Sequence, residues 1–476
     1  MTDRNDITRR TLLGGASAAG AAGALGSIAT GQAQIGTPPG TTGQGGSGAE
    51  FLIRDAYVIS MDAAIGDLPR GDIHVRDGTI AAVGQNLSAP GAQLIDARTM
   101  IACPGFIETH WHMWGAVARN MAGEEEKTGY FPFSRVLGAL FKPEDNARGV
   151  RLALAEAISS GITTVHNWSH NLLSPAYADA ELAVHREVGA RARFAYGYSR
   201  NTGPNETLPL DDVARVHGQY FGGAAGLLTL GIASRGPENN TIEICKKEWE
   251  AARRLGIGIT AHSGTNPGRR DSVRRMADAG LLGPDVVVVH ATNTNPSDFD
   301  LLAKSGTPVS LSPFTELRTG FGLPPTGEML KAGVPISFSV DTTLLCGNAD
   351  MFAIMKAIQN VENGIKQSEF ALPPRKVLET ATMGGARALG IADRVGSLTP
   401  GKRADLLLVR TTDINMLPLT EPVRMLVQSA QPANIALVMV DGRILKRGAE
   451  LTTTDVEKLL ADATETITRV RAQVKM

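Results

Sequence analysis

Residues 104 to 114 read Pro104-Gly105-Phe106-Ile107-Glu108-Thr109-His110-Trp111-His112-Met113-Trp114. The stretch follows an apolar, strand-like run, Met100-Ile101-Ala102-Cys103, turns at Pro104-Gly105 and reaches two histidines one residue apart. In an extended backbone residues i and i+2 point to the same face. His110 and His112 therefore aim two imidazoles at one point, with Trp111 turned away. Neutral imidazole is the commonest metal ligand, and a catalytic zinc site takes about three protein ligands with one position left open. Alone, a His-x-His pair says little. Its meaning depends on what the rest of the chain brings to the same place.

From 103 to 391 the chain alternates short apolar strands with helical patterns, which points to parallel α/β architecture. Eight strands are expected, at 100–112, 163–167, 193–196, 227–232, 258–262, 286–290, 308–311 and 335–341. Eight βα units closing on themselves make a distorted TIM (β/α)8 barrel, whose chemistry lies at the carboxyl ends of its strands. Besides the first strand, the fifth ends in His262, the sixth in His290 and the eighth in Asp341. One histidine ending an apolar strand is usually packing. Four histidines and an aspartate at the same end of one barrel are a site.

Ligand chemistry divides the labour. His110, His112, His262 and Asp341 supply three imidazoles and a carboxylate for one divalent metal, with Zn²⁺ the first choice and Fe²⁺ the second. Such an ion lowers the pKa of bound water, for zinc toward about 7, giving hydroxide at neutral pH. Asp341 can also accept a proton from that water, and His290 can orient it or polarise the scissile bond.

The flanks have their own grammar. Short β-like runs between 50 and 102 return between 392 and 450, so a small β-sandwich domain is expected from both ends of the chain. Residues 451–476 close the chain as a helix, amphipathic from Thr454 to about Val470, with Val456, Leu459, Leu460, Ala463, Ile467 and Val470 on one face. At the other end, Thr8-Arg9-Arg10-Thr11-Leu12-Leu13 is a twin-arginine pattern. A weakly apolar Ala/Gly-rich run follows, with small residues near Gln32-Ala33 for cleavage. Residues 1–33 read as a signal peptide for export to the periplasm and 34–49 as a flexible linker. The formal net charge of −1 gives no reason to expect nucleic acid or a membrane as partner. A small-molecule substrate and a homo-oligomer are expected. Three cysteines, Cys103, Cys245 and Cys346, are too few and too scattered for a disulfide framework.

Taken together, Pro-Gly-Phe-x-x-x-His-x-His, the strand-end His262, His290 and Asp341, and the later Gly396-x-Leu398-x-Pro400-Gly401-Lys402-x-Ala404-Asp405 resemble the amidohydrolase superfamily. Within it the chain is similar to the mononuclear branch of cytosine deaminase, triazine hydrolases and S-adenosylhomocysteine deaminase. The resemblance implies His110, His112, His262 and Asp341 as metal ligands and His290 as a catalytic residue. It also exposes two departures. The fourth strand, from Leu227 to Ser234, has no lysine to bridge a second metal. Deaminases of this branch carry a proton-shuttling glutamate three residues after the strand-five histidine, where this chain has Thr265. A hydroxyl cannot shuttle protons as a carboxylate does. Glu316, after strand seven, is the first candidate for that task, and Glu238, after strand four, the second.

Trp111, Trp114, Trp168, Phe314 and Phe321 fall in strand-end segments and are candidates to line an apolar pocket, although packing is the commoner fate of aromatics. His166 and His170 flank Trp168 and are not needed as ligands. The expected activity is metal-dependent hydrolysis of a non-peptide C–N bond in a small, fairly apolar amide, carbamate, urea or N-heterocycle. The alternative is deamination of an aminated N-heterocycle. A non-catalytic binding barrel would have no need of every ligand.

Overall fold

A computed structural model describes residues 49–198, 202–203, 205–221 and 226–474. The twin-arginine segment, and the linker up to residue 48, lie outside them. Pro104-Gly105 is where the chain passes from one sheet to another. The run read as one strand from Met100 to His112 is divided there. Met100–Pro104 pairs with Glu50–Ile59 and Leu406–Arg410 in the small sheet, and the first barrel strand is only Phe106–Ile107. Pro104 has no N–H to extend a ladder. A Cβ at Gly105 would lie 2.1 Å from Thr163 Oγ1, so only glycine allows this approach to the second barrel strand.

The remaining barrel strands are Ile162–Ser169, Arg191–Gly197, Leu228–Ser234, Gly258–Ser263, Val286–His290, Val309–Leu311 and Ile336–Phe338. All eight pair in parallel and in sequence order. The sixth, four valines and a histidine, is buried throughout, as a parallel strand covered on both faces must be. The seam between first and eighth strands closes beyond their regular parts. Thr109 N–H donates to Phe338 O at 3.3 Å, Asp341 N–H to His110 O at 2.8 Å and His112 N–H to Asp341 O at 2.6 Å. Helices between the strands have legible ends. Ile242–Leu255 starts at Thr241, whose hydroxyl accepts the Ile244 N–H, and stops at Gly256 with φ +66°.

The end-built domain is a nine-stranded sheet in which a block of strands from each end of the chain meets where Met100–Pro104 pairs with Leu406–Arg410. Alternation along its central strands separates two cores. Ala102, Leu406 and Leu408 face a small core with Phe51, Ile53, Val75 and Met439. Ile101, Cys103, Leu407 and Val409 face the barrel's core.

The terminal helix, Val456–Gln473, buries a narrower stripe than its pattern suggests. Leu459 and Val470 are buried and Ala463 and Ile467 half-buried, whereas Val456 and Leu460 are 43% and 57% exposed. A helix packed on one neighbour covers little more than its i, i+4 line. No helix among the described residues is long and apolar enough to cross a membrane.

Candidate active site

At the carboxyl end of the barrel the structure brings His110, His112, His262, His290 and Asp341 together. His110 Nε2 and His112 Nε2 each lie 3.3 Å from Asp341 Oδ1, and His290 Nε2 lies 3.9 Å from Asp341 Oδ2. Ligand atoms of His110, His112 and His262 fall within 4.8 Å of one another, as do those of His110, His290 and Asp341. Two atoms each about 2.0–2.1 Å from one zinc at the tetrahedral angle lie about 3.3 Å apart. The His–Asp spacings match that value.

The donors are in the right state for a cation. Burial holds the imidazoles of His110, His112 and His262 well below the usual histidine range, which keeps them neutral ligands. Neither ring nitrogen of fully buried His110 has a hydrogen-bond partner. A buried, unpaired imidazole is costly unless something binds it. Burial raises Asp341, while His290 and His262 pull it back toward the carboxylate. These observations fit one divalent ion held by His110, His112, His262 and Asp341.

Backbone conformation aims two of these side chains. His290 and Asp341 have φ of +73° and +64°, left-handed values rare outside glycine. Strain of this kind collects at functional sites, where neighbouring contacts hold it. For Asp341 the holding contacts are the two seam hydrogen bonds above.

Further residues hold the set in place. Glu108, fully buried, accepts the N–H of His110 at 2.6 Å and of Val340 at 3.3 Å through Oε1, and that of His166 at 3.2 Å through Oε2. It thus ties the first, second and eighth strands together. Burial pushes its carboxyl up to about 8 despite those three donors. His112 Nδ1 lies 2.9 Å from His170 Nδ1, which also receives the Trp114 indole N–H at 3.3 Å. With His112 Nε2 turned to the centre, its Nδ1–H is the donor, and the ring orientation is fixed. The pattern could have flagged Glu108, a polar residue on the His110 face of an apolar run. Nothing local flags His170, 58 residues from its partner.

Glu316 is fully buried, and its Oε1 meets His290 Nδ1 at 3.1 Å and the Ser312 N–H at 2.8 Å. Burial opposes a charge on His290, but the Glu316 and Asp341 carboxylates raise it above the usual histidine range. Glu238, in the turn after the fourth strand, also acts on the His290 charge and has its Oε2 2.7 Å from Thr265 Oγ1. Trp168 packs its ring 4.2 Å from that of His262 and 4.8 Å from that of His110, above Ala195, Ala233 and Val289. It fills the barrel beneath the site, where Ala233 stands on the lysine-free fourth strand. Trp111 and Trp114 are buried as packing, Phe314 is partly buried against the barrel core, and Phe321 sits with its ring 5.2 Å from that of His290. His166 is buried two residues before Trp168 on the second barrel strand.

Residues 101–445 match the family model described as Amidohydrolase family. The chain belongs to that family. Curated relatives of this amidohydrolase include 5'-deoxyadenosine deaminase of Methanosarcina barkeri, 28% identical over 89% of this chain and 100% of the relative. Another is 5-methylthioadenosine/S-adenosylhomocysteine deaminase of Desulforudis audaxviator, 28% identical over 88% and 99%. Among solved structures, an adenosine deaminase from Xanthomonas campestris with bound zinc superposes with a TM-score of 0.81 at 24% identity, covering 89% of this chain and 99% of that one. Atrazine chlorohydrolase from Arthrobacter aurescens, complexed with zinc, gives 0.79 at 23% identity, covering 88% and 100%. The shared fold is the amidohydrolase barrel.

Proposed function

We propose that this amidohydrolase cleaves a non-peptide C–N bond of a small, fairly apolar amide, carbamate, urea or N-heterocycle, using one divalent metal. The observation that carries the reading is the convergence of four histidines and Asp341 from the first, fifth, sixth and eighth strands on one buried point. His110, His112, His262 and Asp341 would hold the ion, with Zn²⁺ preferred over Fe²⁺ because two structural neighbours carry zinc. Bound there, the ion supplies Lewis acidity that makes water nucleophilic near neutral pH. The protein's own residues do the rest. Asp341 accepts a hydrogen bond from the attacking water and orients it toward the substrate carbon. His290, held by Glu316, donates a hydrogen bond to oxygen or nitrogen at the reacting carbon, where charge builds up. Phe321, against His290, offers an apolar surface to the substrate.

The test is a hydrolysis screen of metal-loaded protein against amides, anilides, ureas, carbamates and amino-heterocycles. C–N cleavage in one class is expected; turnover of none by fully loaded protein would overturn the reading. A second reading, deamination of an aminated N-heterocycle, is favoured by the curated deaminase relatives. Ammonia release from the amino-heterocycles alone would select it.

Export belongs to the same proposal. The twin-arginine route carries folded proteins, which suits one that takes up its metal before leaving the cytoplasm. Changing Arg9 and Arg10 to lysine should strand unprocessed protein in the cytoplasm. Unchanged localisation would reduce residues 1–33 to a tail. A homo-oligomer is proposed alongside, with small molecules rather than nucleic acid or membrane as partners.

A further inference from the structure

Glu238 is a buried carboxylate with no cation beside it. It lies in the turn after the fourth strand and is 5% exposed. Its oxygens accept from Thr265 Oγ1 at 2.7 Å, Thr265 N–H at 3.2 Å and Ser272 Oγ at 3.3 Å, and it makes no ion pair among the described residues. The arginine that binds this turn, Arg275, donates to the Pro237 carbonyl instead, at 2.9 Å. The turn presses on the metal-bearing strand. Gly236 has φ +64°, and a Cβ there would lie 3.0 Å from the His262 carbonyl oxygen. Thr265 stands three residues past His262 at the barrel mouth and is only partly buried. A carboxylate buried without a cation depends on its hydrogen-bond donors, and here two of the three come from Thr265.

Glu316 is turned to another task. Its Oε1 takes the Ser312 amide and His290 while its Oε2 has no hydrogen-bond partner, so it serves as the positioning residue for that imidazole.

We propose that Glu238 and Thr265 form a proton relay between the attacking water and the departing nitrogen, resting on the C–N hydrolase reading above. As the water oxygen bonds to the substrate carbon, a water O–H breaks. Thr265 Oγ1 takes that proton while passing its own to Glu238. When the C–N bond breaks, Glu238 returns the proton through Thr265 and an N–H forms on the leaving group. Water is consumed, the carbon gains a hydroxyl, and Glu238 ends as the carboxylate it began as. A hydroxyl alone, with a pKa far above neutrality, cannot store the proton between these steps. Hydrogen-bonded to Glu238, it needs only to conduct it. Glu238 acts through Thr265 and is a positioning residue in the sense that Thr265 is the group meeting substrate.

The experiment compares the 4-nitroanilide and the unsubstituted anilide of one small acid, with full-length, metal-loaded protein. The aniline leaving group depends on protonation as it departs much more strongly than 4-nitroaniline does. Glu238→Gln should lower kcat roughly 100-fold on the unsubstituted anilide and no more than about fivefold on the nitroanilide, the scale expected of a positioned acid–base group. Thr265→Val should show the same split and Thr265→Ser should not. Metal content should stay unchanged in all three. Adding Thr265→Glu to Glu238→Gln moves the carboxylate one partner nearer the mouth and should restore at least about tenfold of the lost rate. Equal losses on both anilides, with a lowered Tm and no rescue, would make Glu238 a structural brace and overturn the relay while leaving the hydrolase reading intact. Loaded wild type that turns over nothing in the screen would overturn both.

Discussion

At the scale of single residues, two histidines are held by different partners, and the difference can be measured. His112 donates Nδ1–H to His170, so His170→Ala removes the acceptor that fixes the ring of this proposed ligand. Metal affinity should fall by about 10–100-fold, read by competition with a chelator. Unchanged affinity would show that packing alone orients His112. His290 has Glu316 behind it. His290→Ala should keep the metal and lower turnover by about 10²–10⁴-fold. Glu316→Gln should lower it less, by about tenfold, and equally for good and poor leaving groups, since it acts on His290 and not on departing nitrogen. Loss of metal in His290→Ala would mean the ligands are assigned wrongly. Residue by residue, the strand-end histidines and Asp341 were legible because each closes an apolar run, and a β-period says which way they point. His170 was not, because its value comes from a contact 58 residues away. The Glu238–Thr265 contact, 27 residues apart, was equally invisible, and only Thr265's position drew attention to it.

At the scale of elements, periodicity identified all eight barrel strands but misplaced the start of the first. Met100 to His112 is one extended pattern to the eye. Which sheet accepts its hydrogen bonds is decided by Pro104, Gly105 and partners hundreds of residues away. Pairing of Met100–Pro104 with Leu406–Arg410 is what joins the two ends of the chain. Another element joins small sheet to barrel. Lys446, in the strand Arg443–Arg447, is buried and donates Nζ–H to Ser159 O at 2.7 Å, at the end of helix Pro143–Ser159. Burial pulls its pKa down from 10.5 to about 8. The folded state therefore binds that proton less readily than the unfolded chain between these values, so stability contributed by this site rises as pH climbs from about 8 toward 10.5. Against Lys446→Met, which has no proton to lose, wild type should gain stability over that interval in denaturant titrations. Parallel curves at pH 7.5 and 10 would contradict it.

At the scale of the molecule, the seam between the first and eighth strands coincides with the proposed chemical centre. The first barrel strand has two residues and meets the eighth through three backbone bonds at 109–112 in place of a regular ladder. Two other groups reinforce that seam. Glu108 ties His110, His166 and Val340, and a hydroxyl chain links Thr109 to Ser310 and Ser337 at 2.8 and 2.9 Å. A metal ion would be the third. Its proposed ligands sit on both sides of the seam, His110 and His112 on one and Asp341 on the other, with His262 across the barrel. Binding only to the folded state adds stability by mass action, in proportion to the logarithm of ion concentration over Kd. Elemental analysis should therefore find close to one zinc or iron per chain, and two tightly held ions would refute a mononuclear centre. Chelation should lower Tm. The loss should also be local at first: amide exchange should quicken at 106–112 and 336–342 before it does along the fifth and sixth strands, whose ladders need no ion. Uniform quickening across the barrel would mean that the ion supports the whole core rather than the seam. No change at all would mean that Glu108 and the hydroxyl chain close the barrel without it, leaving the ion to chemistry alone.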